Sequence, residues 1–440
     1  MLLSITAAWC RACHEMDRTT YAAPEVVALI RDRFVPIRID ADQRPDINDR
    51  YNLGGWPTTA FLTAEGDLIT GGTFVPADRM PDVLARVVAA FDGRAAELVH
   101  SPSPASAAGD PVDPSEPDHD ELLRSILSMF DEENGGFGVE PKFPHTSPIH
   151  LAIALFRETS DDRWRWIAER TLDAMADGGL WDQEAGGFYR YATTRDWQVP
   201  HLEKLLETNA ALLRVYVDSA QAFGRAVDRD RCGAISAFIT GALRAEDGGY
   251  HGSDGDRVLY ADANADAAGA LLAAATLLDD RALLQEAIAS FERVLLACYK
   301  PGAGVAHYFD GAPHVRGLLI DQVAALRALL DAHDVTDAEP YQMMGEELGH
   351  FIVRDMWDDA AGGFFDRTAS DDDVGLLKTR RKPYAANADA AVALARLDRV
   401  AHEFDFVPHA AGALRAAAAQ LPGQGPEAAR YLLARRHLAR

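Results

Sequence analysis

Cys10 and Cys13 are the residues of this 440-residue chain whose type and spacing most directly suggest chemistry. They sit in Trp9-Cys10-Arg11-Ala12-Cys13-His14, after a short apolar run, Leu2-Leu3-Ser4-Ile5-Thr6, that reads as a strand. The following segment, Glu15 to Val27, reads as helix. A thiol at a helix N-terminus feels the positive end of the dipole and unpaired backbone N–H groups, so its thiolate is stabilised. Cys10 is expected to be the attacking thiolate and Cys13 the resolving thiol, because the first Cys of such a turn is the more exposed. Arg11 should lower the Cys10 pKa further. The same spacing is also half a zinc site, with His14 as a third ligand, but closing it needs a second Cys/His pair. The other cysteines, Cys232 and Cys298, lie far apart in helical segments. They are expected to be inert, and no metal or cofactor is expected. A redox-inert structural pair at Cys10 and Cys13 is the remaining alternative.

The elements that must position this pair follow in order. A helix reads from Pro24 to Arg33, a strand from Phe34 to Ile39 and a short helix from Pro45 to Tyr51. Trp56-Pro57 then opens an apolar strand, a hairpin turns at Glu65-Gly66-Asp67, and a helix runs from Asp78 to Phe91. A strand that opens with Pro needs no partner for that N–H, and Pro is the residue for which a cis bond is cheap. Strand–helix alternation ending in a hairpin and a helix is an α/β order.

Several motifs together make this region resemble the thioredoxin-like domain of the spermatogenesis-associated, domain-of-unknown-function family. They are the Cys-x-x-Cys-His-x-Met turn at Cys10 to Met16, Arg44-Pro45-Asp46, Gly54-Gly55-Trp56-Pro57, and the Phe-Leu-Thr…Gly-Gly-Thr-Phe segment from Phe61 to Phe74. The resemblance implies that Pro57 is cis and faces the dithiol. It further implies a cysteine pair that cycles between dithiol and disulfide, supported by Trp9, Arg11, His14, Trp56 and Pro57. Ser4 stands where many thioredoxins carry a buried carboxylate, six residues before the first Cys.

The chain is too long for one such module. We read residues 1–95 as the thioredoxin-like domain, 96–117 as a Pro/Ser/Asp-rich linker and 118–440 as a second domain. Lys and Arg number 43 against 68 Asp and Glu, for a formal net charge of -25, which argues against a nucleic-acid partner. Lys occurs only at 142, 204, 300, 378 and 382. An acidic, Lys-poor, Ala-rich composition resembles that of salt-loving archaea, whose high salt screens self-repulsion. No run of about 18 apolar residues exists, so no membrane span is expected. Met1-Leu2-Leu3-Ser4 leads straight into the first strand with no basic n-region, so no secretory signal is expected. Four cysteines in so long a chain fit a reducing compartment. A cytoplasmic protein is expected, whose partner is either a protein thiol or disulfide or a small molecule.

The second domain reads as almost entirely helical, with twelve segments between 118 and 437. A Gly-Gly-aromatic loop recurs at Gly135-Gly136-Phe137, Gly186-Gly187-Phe188, Gly248-Gly249-Tyr250 and Gly362-Gly363-Phe364, with a worn copy at Pro301-Gly302-Ala303-Gly304. Such a period marks a repeat. It predicts an (α/α)6 toroid, the fold of six-hairpin glycosidases and N-acylglucosamine epimerases, with a helical solenoid as the alternative. The family resemblance continues through Asp182, Gly186 to Tyr191, and Trp197 to Leu205, with shorter matches at Lys142-Phe143-Pro144 and Leu319-Ile320-Asp321-Gln322.

Asp182, His201, Glu203, Lys204 and Asp321 are the candidate site residues of the toroid. Paired carboxylates could act on a glycosidic bond, and a His with a carboxylate could epimerise a sugar by proton transfer. Ion-pair and capping roles are the structural alternative. If the toroid binds a sugar, Phe137, Phe188, Tyr250 and Phe364 are expected to converge as its walls. The Arg380-Arg381-Lys382 and Asp371-Asp372-Asp373 runs read as solvated loops. The primary expectation is thus a thiol-disulfide oxidoreductase fused to a toroid; the alternative is a carbohydrate-metabolic toroid with a redox-sensing or docking domain.

Overall fold

The computed structural model describes residues 1–94, 117–401 and 404–439. The expected linker, residues 96–117, lies outside the described residues except at its last position. The chain divides into two compact units, Met1–Val112 with Ala369–Arg380, and Asp113–Thr368 with Arg381–Arg440.

The first unit is built on a four-stranded sheet in the order β2-β1-β3-β4. The strands are β1 (Leu2–Thr6), β2 (Pro36–Asp40), β3 (Thr58–Leu62) and β4 (Leu68–Gly72). β1 runs parallel to β2 and antiparallel to β3, with Leu3 opposite both Ile37 and Ala60. The central strands β1 and β3 are buried along their whole length, whereas the edge strands are partly exposed. Alternation along β1 sends Leu3 and Ile5 to one face and Leu2 to the other. Leu3 and Ile5 pack with Cys10, Cys13, Tyr51 and Ala60, while Leu2 packs with Met16, Val26, Phe61 and Leu84. The helices are α1 (Arg11–Thr19), α2 (Pro24–Arg33), α3 (Pro45–Tyr51) and α4 (Met80–Arg94).

Ala369–Arg380 belongs to this unit, although the sequence placed it with the toroid. The reason is a set of contacts from α3 that no local pattern announces. The buried Arg50 guanidinium donates to the carbonyls of Leu376 and Thr379, at 3.0 and 2.9 Å. Tyr51 Oη donates to the Gly66 carbonyl and accepts from the Leu376 N–H. Gly66 and Gly375 touch backbone to backbone, both at positive φ, so a side chain at either position would collide.

The second unit contains twelve α-helices among the described residues. They are α5 (His119–Leu127), α6 (Ser147–Thr159), α7 (Asp162–Asp177), α8 (Leu206–Phe223), α9 (Ala226–Ala242), α10 (Ala261–Leu278), α11 (Arg281–Cys298), α12 (Leu319–Thr336), α13 (Glu339–Met356), α14 (Tyr384–Asp398), α15 (Val407–Ala418) and α16 (Ala429–Leu438). The even-numbered helices form an inner ring, α6-α8-α10-α12-α14-α16, which closes from α16 back to α6. Each of α7, α9, α11, α13 and α15 packs outside the inner helix preceding it. This is an (α/α)6 toroid. Inner helices such as α10 and α14 are rich in buried Ala, which lets neighbouring helices approach on several sides. Short turns join inner to outer helices at one end, three of them through a non-Gly residue at positive φ: Ser160, Asp279 and Asp337. The long connections therefore gather at the other end.

Those connections share one construction. Asp131, Asp182 and Asp358 each precede a Gly-Gly-Phe by four residues, and all six glycines have positive φ. The fourth residue of the next inner helix then reads the loop backbone. The Asn209 side chain accepts from the Phe188 N–H at 2.7 Å and donates to the Phe188 carbonyl at 3.0 Å. Asn264 does the same for Tyr250, and Asn387 for Phe364. In the worn copy Gln322 reads Val305, its extra methylene spanning a different loop. Buried polar groups that would otherwise be orphaned are thereby satisfied in these four loops. One feature departs from the all-helical reading. Between α11 and α12 the chain forms β6 (Tyr299–Lys300), β7 (Gly304–Phe309) and β8 (Pro313–Arg316), joined on β7 by β5 (Leu259–Tyr260).

Candidate functional site: a dithiol turn and a buried His-carboxylate cluster

The turn between β1 and α1 holds Cys10 and Cys13 in a disulfide, with their Cα atoms 5.2 Å apart. Cys10 is the N-cap of α1, and its sulfur accepts the Cys13 backbone N–H at 3.2 Å. An orphan donor of the helix end thus points at the sulfur whose thiolate it would stabilise. Both cysteines are buried, Cys10 at 5% and Cys13 at 1% relative exposure, so the expected ranking is present but small. Arg11 and His14 are exposed. Trp9 meets Trp56 edge to face, ring centroids 5.3 Å apart. The two indoles are pinned from below: Trp9 Nε1 donates to Asp42 at 2.6 Å and Trp56 Nε1 to Asn48 at 3.1 Å. The Trp56-Pro57 bond is cis. Asp42 and Asn48 are supporting residues that the sequence did not single out, because neither lies in a recognisable motif. Cys232 and Cys298 are free and fully buried, and burial pushes both thiols up to about 12.

In the toroid, the five candidate residues fall into three groups, and among the described residues no hydrogen bond or ion pair joins one group to another. Asp182 and Lys204 form the first. Lys204 Nζ donates to Asp182 Oδ2 at 2.6 Å and to the Gly186 carbonyl at 2.7 Å. Asp182 also accepts the N–H groups of Glu184 and Ala185 and the Tyr189 hydroxyl. Lys204 and these backbone donors hold the Asp182 carboxyl well below the usual range. The same clamp recurs as Asp358 with Lys382, which also donates to the Gly362 carbonyl, and as Asp131 with Lys142. A pair repeated in three hairpins is part of the loop's construction. Lys382, expected to be solvated, is instead a member of such a clamp.

His201 and Glu203 form the second group. Their side chains are paired, and His201 stacks on Tyr191, which stacks on Phe143. The wall of aromatics does not form. Phe137, Phe188, Tyr250 and Phe364 are at most 2% exposed, buried in the toroid's core rather than lining a common opening. Phe137 lies against Phe130, Phe188 between Trp181 and Tyr216, and Phe364 against Trp357. Fully burying one Phe side chain is worth about 2–3 kcal/mol, and that burial is what draws these rings inward.

Asp321 forms the third group with two residues that sequence reasoning missed. His307 Nδ1 lies 2.8 Å from Asp321 Oδ1 and 4.0 Å from Asp262 Oδ1. Asp321 and His307 are buried, and Asp262 is partly exposed. Burial pushes the Asp262 carboxyl up to about 7, against the pull of His307, and it raises Asp321 as well. His307 had no helical period or motif around it; the β5–β7 pairing that carries it was not legible.

Fold and site together define a class: a thioredoxin-like domain joined to an (α/α)6 toroid. More particularly, residues 1–105 match the family described as Thioredox_DsbH, protein of unknown function, DUF255. The chain is similar to spermatogenesis-associated protein 20 of Rattus norvegicus, 28% identical over 283 residues, which are 58% of this chain and 36% of that protein. It is 31% identical over 247 residues to an uncharacterized protein of Caenorhabditis elegans, covering 50% of this chain and 33% of that one. The chain thus covers about a third of these relatives' length. Among solved structures it resembles the cellobiose 2-epimerase of Spirochaeta thermophila, with a TM-score of 0.59, 15% identity, and coverage of 73% of this chain and 94% of that one. It also resembles the GH76A α-1,6-mannanase of Salegentibacter, with a TM-score of 0.54, 10% identity, and coverage of 72% and 98%. Identities this low speak to the fold alone. No helix among the described residues is long and apolar enough to cross a membrane.

Proposed function

We propose that the chain is a thiol-disulfide oxidoreductase acting through Cys10 and Cys13. The single observation that carries this reading is the Cys10 sulfur at the N-cap of α1, accepting the Cys13 N–H. In the reduced form the Cys10 thiolate would attack a substrate disulfide, forming a mixed disulfide and releasing one substrate thiolate. The Cys13 thiolate would then attack Cys10 Sγ, closing the enzyme disulfide and freeing the second substrate thiolate. Two electrons pass to the substrate, and the two protons come from the two enzyme thiols by way of solvent. Arg11, exposed beside the pair, would favour the anion. The Trp9 and Trp56 rings would shape the approach.

The test is reduction of a model disulfide by the full chain with a thiol recycling system. Activity is expected in the native protein, with loss in Cys10→Ser. Cys13→Ser should accumulate a mixed disulfide at Cys10. Equal turnover by native protein and Cys10→Ser would remove this reading.

A second reading concerns the toroid. Its inner helices carry a charged network: Arg327 with Asp266 and Asp389, Arg430 with Asp389, and Arg214 and Arg396 with Asp331. Polar groups converging inside a ring suit a polyhydroxyl ligand such as a sugar. Calorimetry with cellobiose and mannobiose, comparing native protein with Asp266→Asn, tests it; heats that do not change with the variant argue against a site there.

A further inference from the structure

We propose that Asp262, His307 and Asp321 form a binding site for one first-row divalent cation, of which Zn²⁺ and Mn²⁺ best suit an imidazole and two carboxylates.

Three elements distant in sequence converge to build the cluster. Asp262 is in the first turn of α10 and Asp321 in the first turn of α12. β7 carries His307 between them. Its register is held on one side by β5, with Tyr260 opposite Tyr308, and on the other by β8, with Ala306 opposite Arg316. β5 ends one residue before α10 begins, so the pairing that positions His307 also positions Asp262.

One ligand atom from each residue lies within 4.8 Å of the other two. A tetrahedral ion with bonds near 2.1 Å needs ligand atoms about 3.4 Å apart. The His307 Nδ1 distances to Asp321 Oδ1 and Asp262 Oδ1, 2.8 and 4.0 Å, bracket that separation.

A second observation points to a cation. Asp321 is fully buried, and its Oδ2 has no hydrogen-bond partner. Buried carboxylate oxygens are nearly always satisfied, and an orphan calls for an ion or a proton. Three other acids on the inner ring meet Arg: Asp266 with Arg327, Asp331 with Arg214 and Arg396, Asp389 with Arg430. Among the described residues, neither Asp262 nor Asp321 has an ion pair with Lys or Arg. Two carboxylates share one imidazole, and a divalent ion would balance them. Because Asp262 is partly exposed, such an ion would keep an open side, where it could polarise a hydroxyl or carbonyl oxygen.

The experiment uses the full chain carrying Cys10→Ser and Cys13→Ser, so that no thiolate of the turn can bind metal. After chelator treatment and dialysis into 0.5 M NaCl, to screen the acidic surface, the protein is titrated calorimetrically with Zn²⁺ and with Mn²⁺. Its melting temperature is followed in parallel. The expected result is one equivalent bound for at least one ion, with a rise in melting temperature. Asp262→Asn, Asp321→Asn and His307→Ala should each weaken binding by about 100-fold and abolish the rise. Asp262→Asn changes the partly exposed member, so it keeps the test informative if the buried variants fail to fold. No stoichiometric binding of either ion, or equal binding by native protein and Asp262→Asn, would overturn the proposal.

Discussion

The Asp182–Lys204 clamp and the Asp262–His307–Asp321 cluster both place carboxylates at the end of the toroid where the long connections gather, and they differ in what faces the oxygens. Asp182 receives two backbone N–H groups, a hydroxyl and an ammonium, so its capacity is filled. Asp321 receives one imidazole and keeps a buried oxygen without a partner. The clamp carries the stronger sequence motif and recurs in three hairpins, whereas the cluster occurs once among the described residues. Saturation and repetition mark structure; an unfilled buried polar group is what the proposed cation would satisfy. The dithiol turn follows the same logic in the other unit. Its Cys10 sulfur takes one backbone donor, and the neighbouring Arg11 guanidinium is exposed.

Breaking the clamp should have the largest effect. Lys204→Ala leaves Asp182 partly buried and without its cation, and is expected to cost about 3–5 kcal/mol of stability. Chemical denaturation measures it. The double variant Asp182→Asn/Lys204→Met should recover much of that loss, and a double variant as unstable as Lys204→Ala would show that the clamp is not the source. Removing the reader of the loop comes next. Asn209→Ala orphans the Phe188 N–H and carbonyl and should cost about 2–3 kcal/mol, with Asn264→Ala and Asn387→Ala giving similar values if the repeats are equivalent.

A third comparison uses pH. Despite its burial, Glu427 is held down at about 2, mainly through hydrogen bonding to His145 and the charges of Arg430 and His145. A depressed carboxyl contributes stability that is present above its unfolded value near 4.5 and is lost as pH falls through about 2. Native protein should therefore lose about 2 kcal/mol more than Glu427→Gln between those pH values; parallel acid-unfolding curves would contradict this. The smallest effect is expected at the cluster. In metal-free protein, Asp321→Asn keeps an oxygen to accept from His307 and should destabilise less than Lys204→Ala does. A loss matching that of Lys204→Ala would erase the distinction between the two regions.

Much of this architecture was legible from spacing. Cys10 and Cys13 at a strand-to-helix turn, Pro57 opening β3, and glycines recurring at a fixed offset from Asp and Phe are local patterns with local causes. The twelve helices were legible as segments set between the recurring Gly-rich loops. The rest depends on contacts that are not local. β7 pairs with β5 at separations of 48 and 50 residues, Tyr260 with Tyr308 and Leu259 with Phe309, and a short strand among helices has no period to reveal it, so His307 and Asp262 went unread. The segment 369–380 looks like any acidic loop until Arg50 and Tyr51 are seen holding its carbonyls and N–H groups. The Gly-Gly-aromatic loops were readable as repeats, but their direction was not. Whether Phe188 faces an opening or its own hairpin depends on where Asn209 sits to hold its backbone, and Asn209 follows it by 21 residues.

The most direct measurement is the alkylation rate of Cys10 in the reduced protein as a function of pH. Native protein and Cys13→Ser should be followed by mass spectrometry, with the buried Cys232 and Cys298 as internal references. If α1 activates Cys10 as its N-cap geometry supports, the rate should rise with a midpoint below the free-thiol value of about 8.5, while both reference thiols stay unlabelled. A midpoint at or above that value, or labelling of Cys10 no faster than an unstructured thiol at neutral pH, would contradict the assignment of Cys10 as the attacking thiolate.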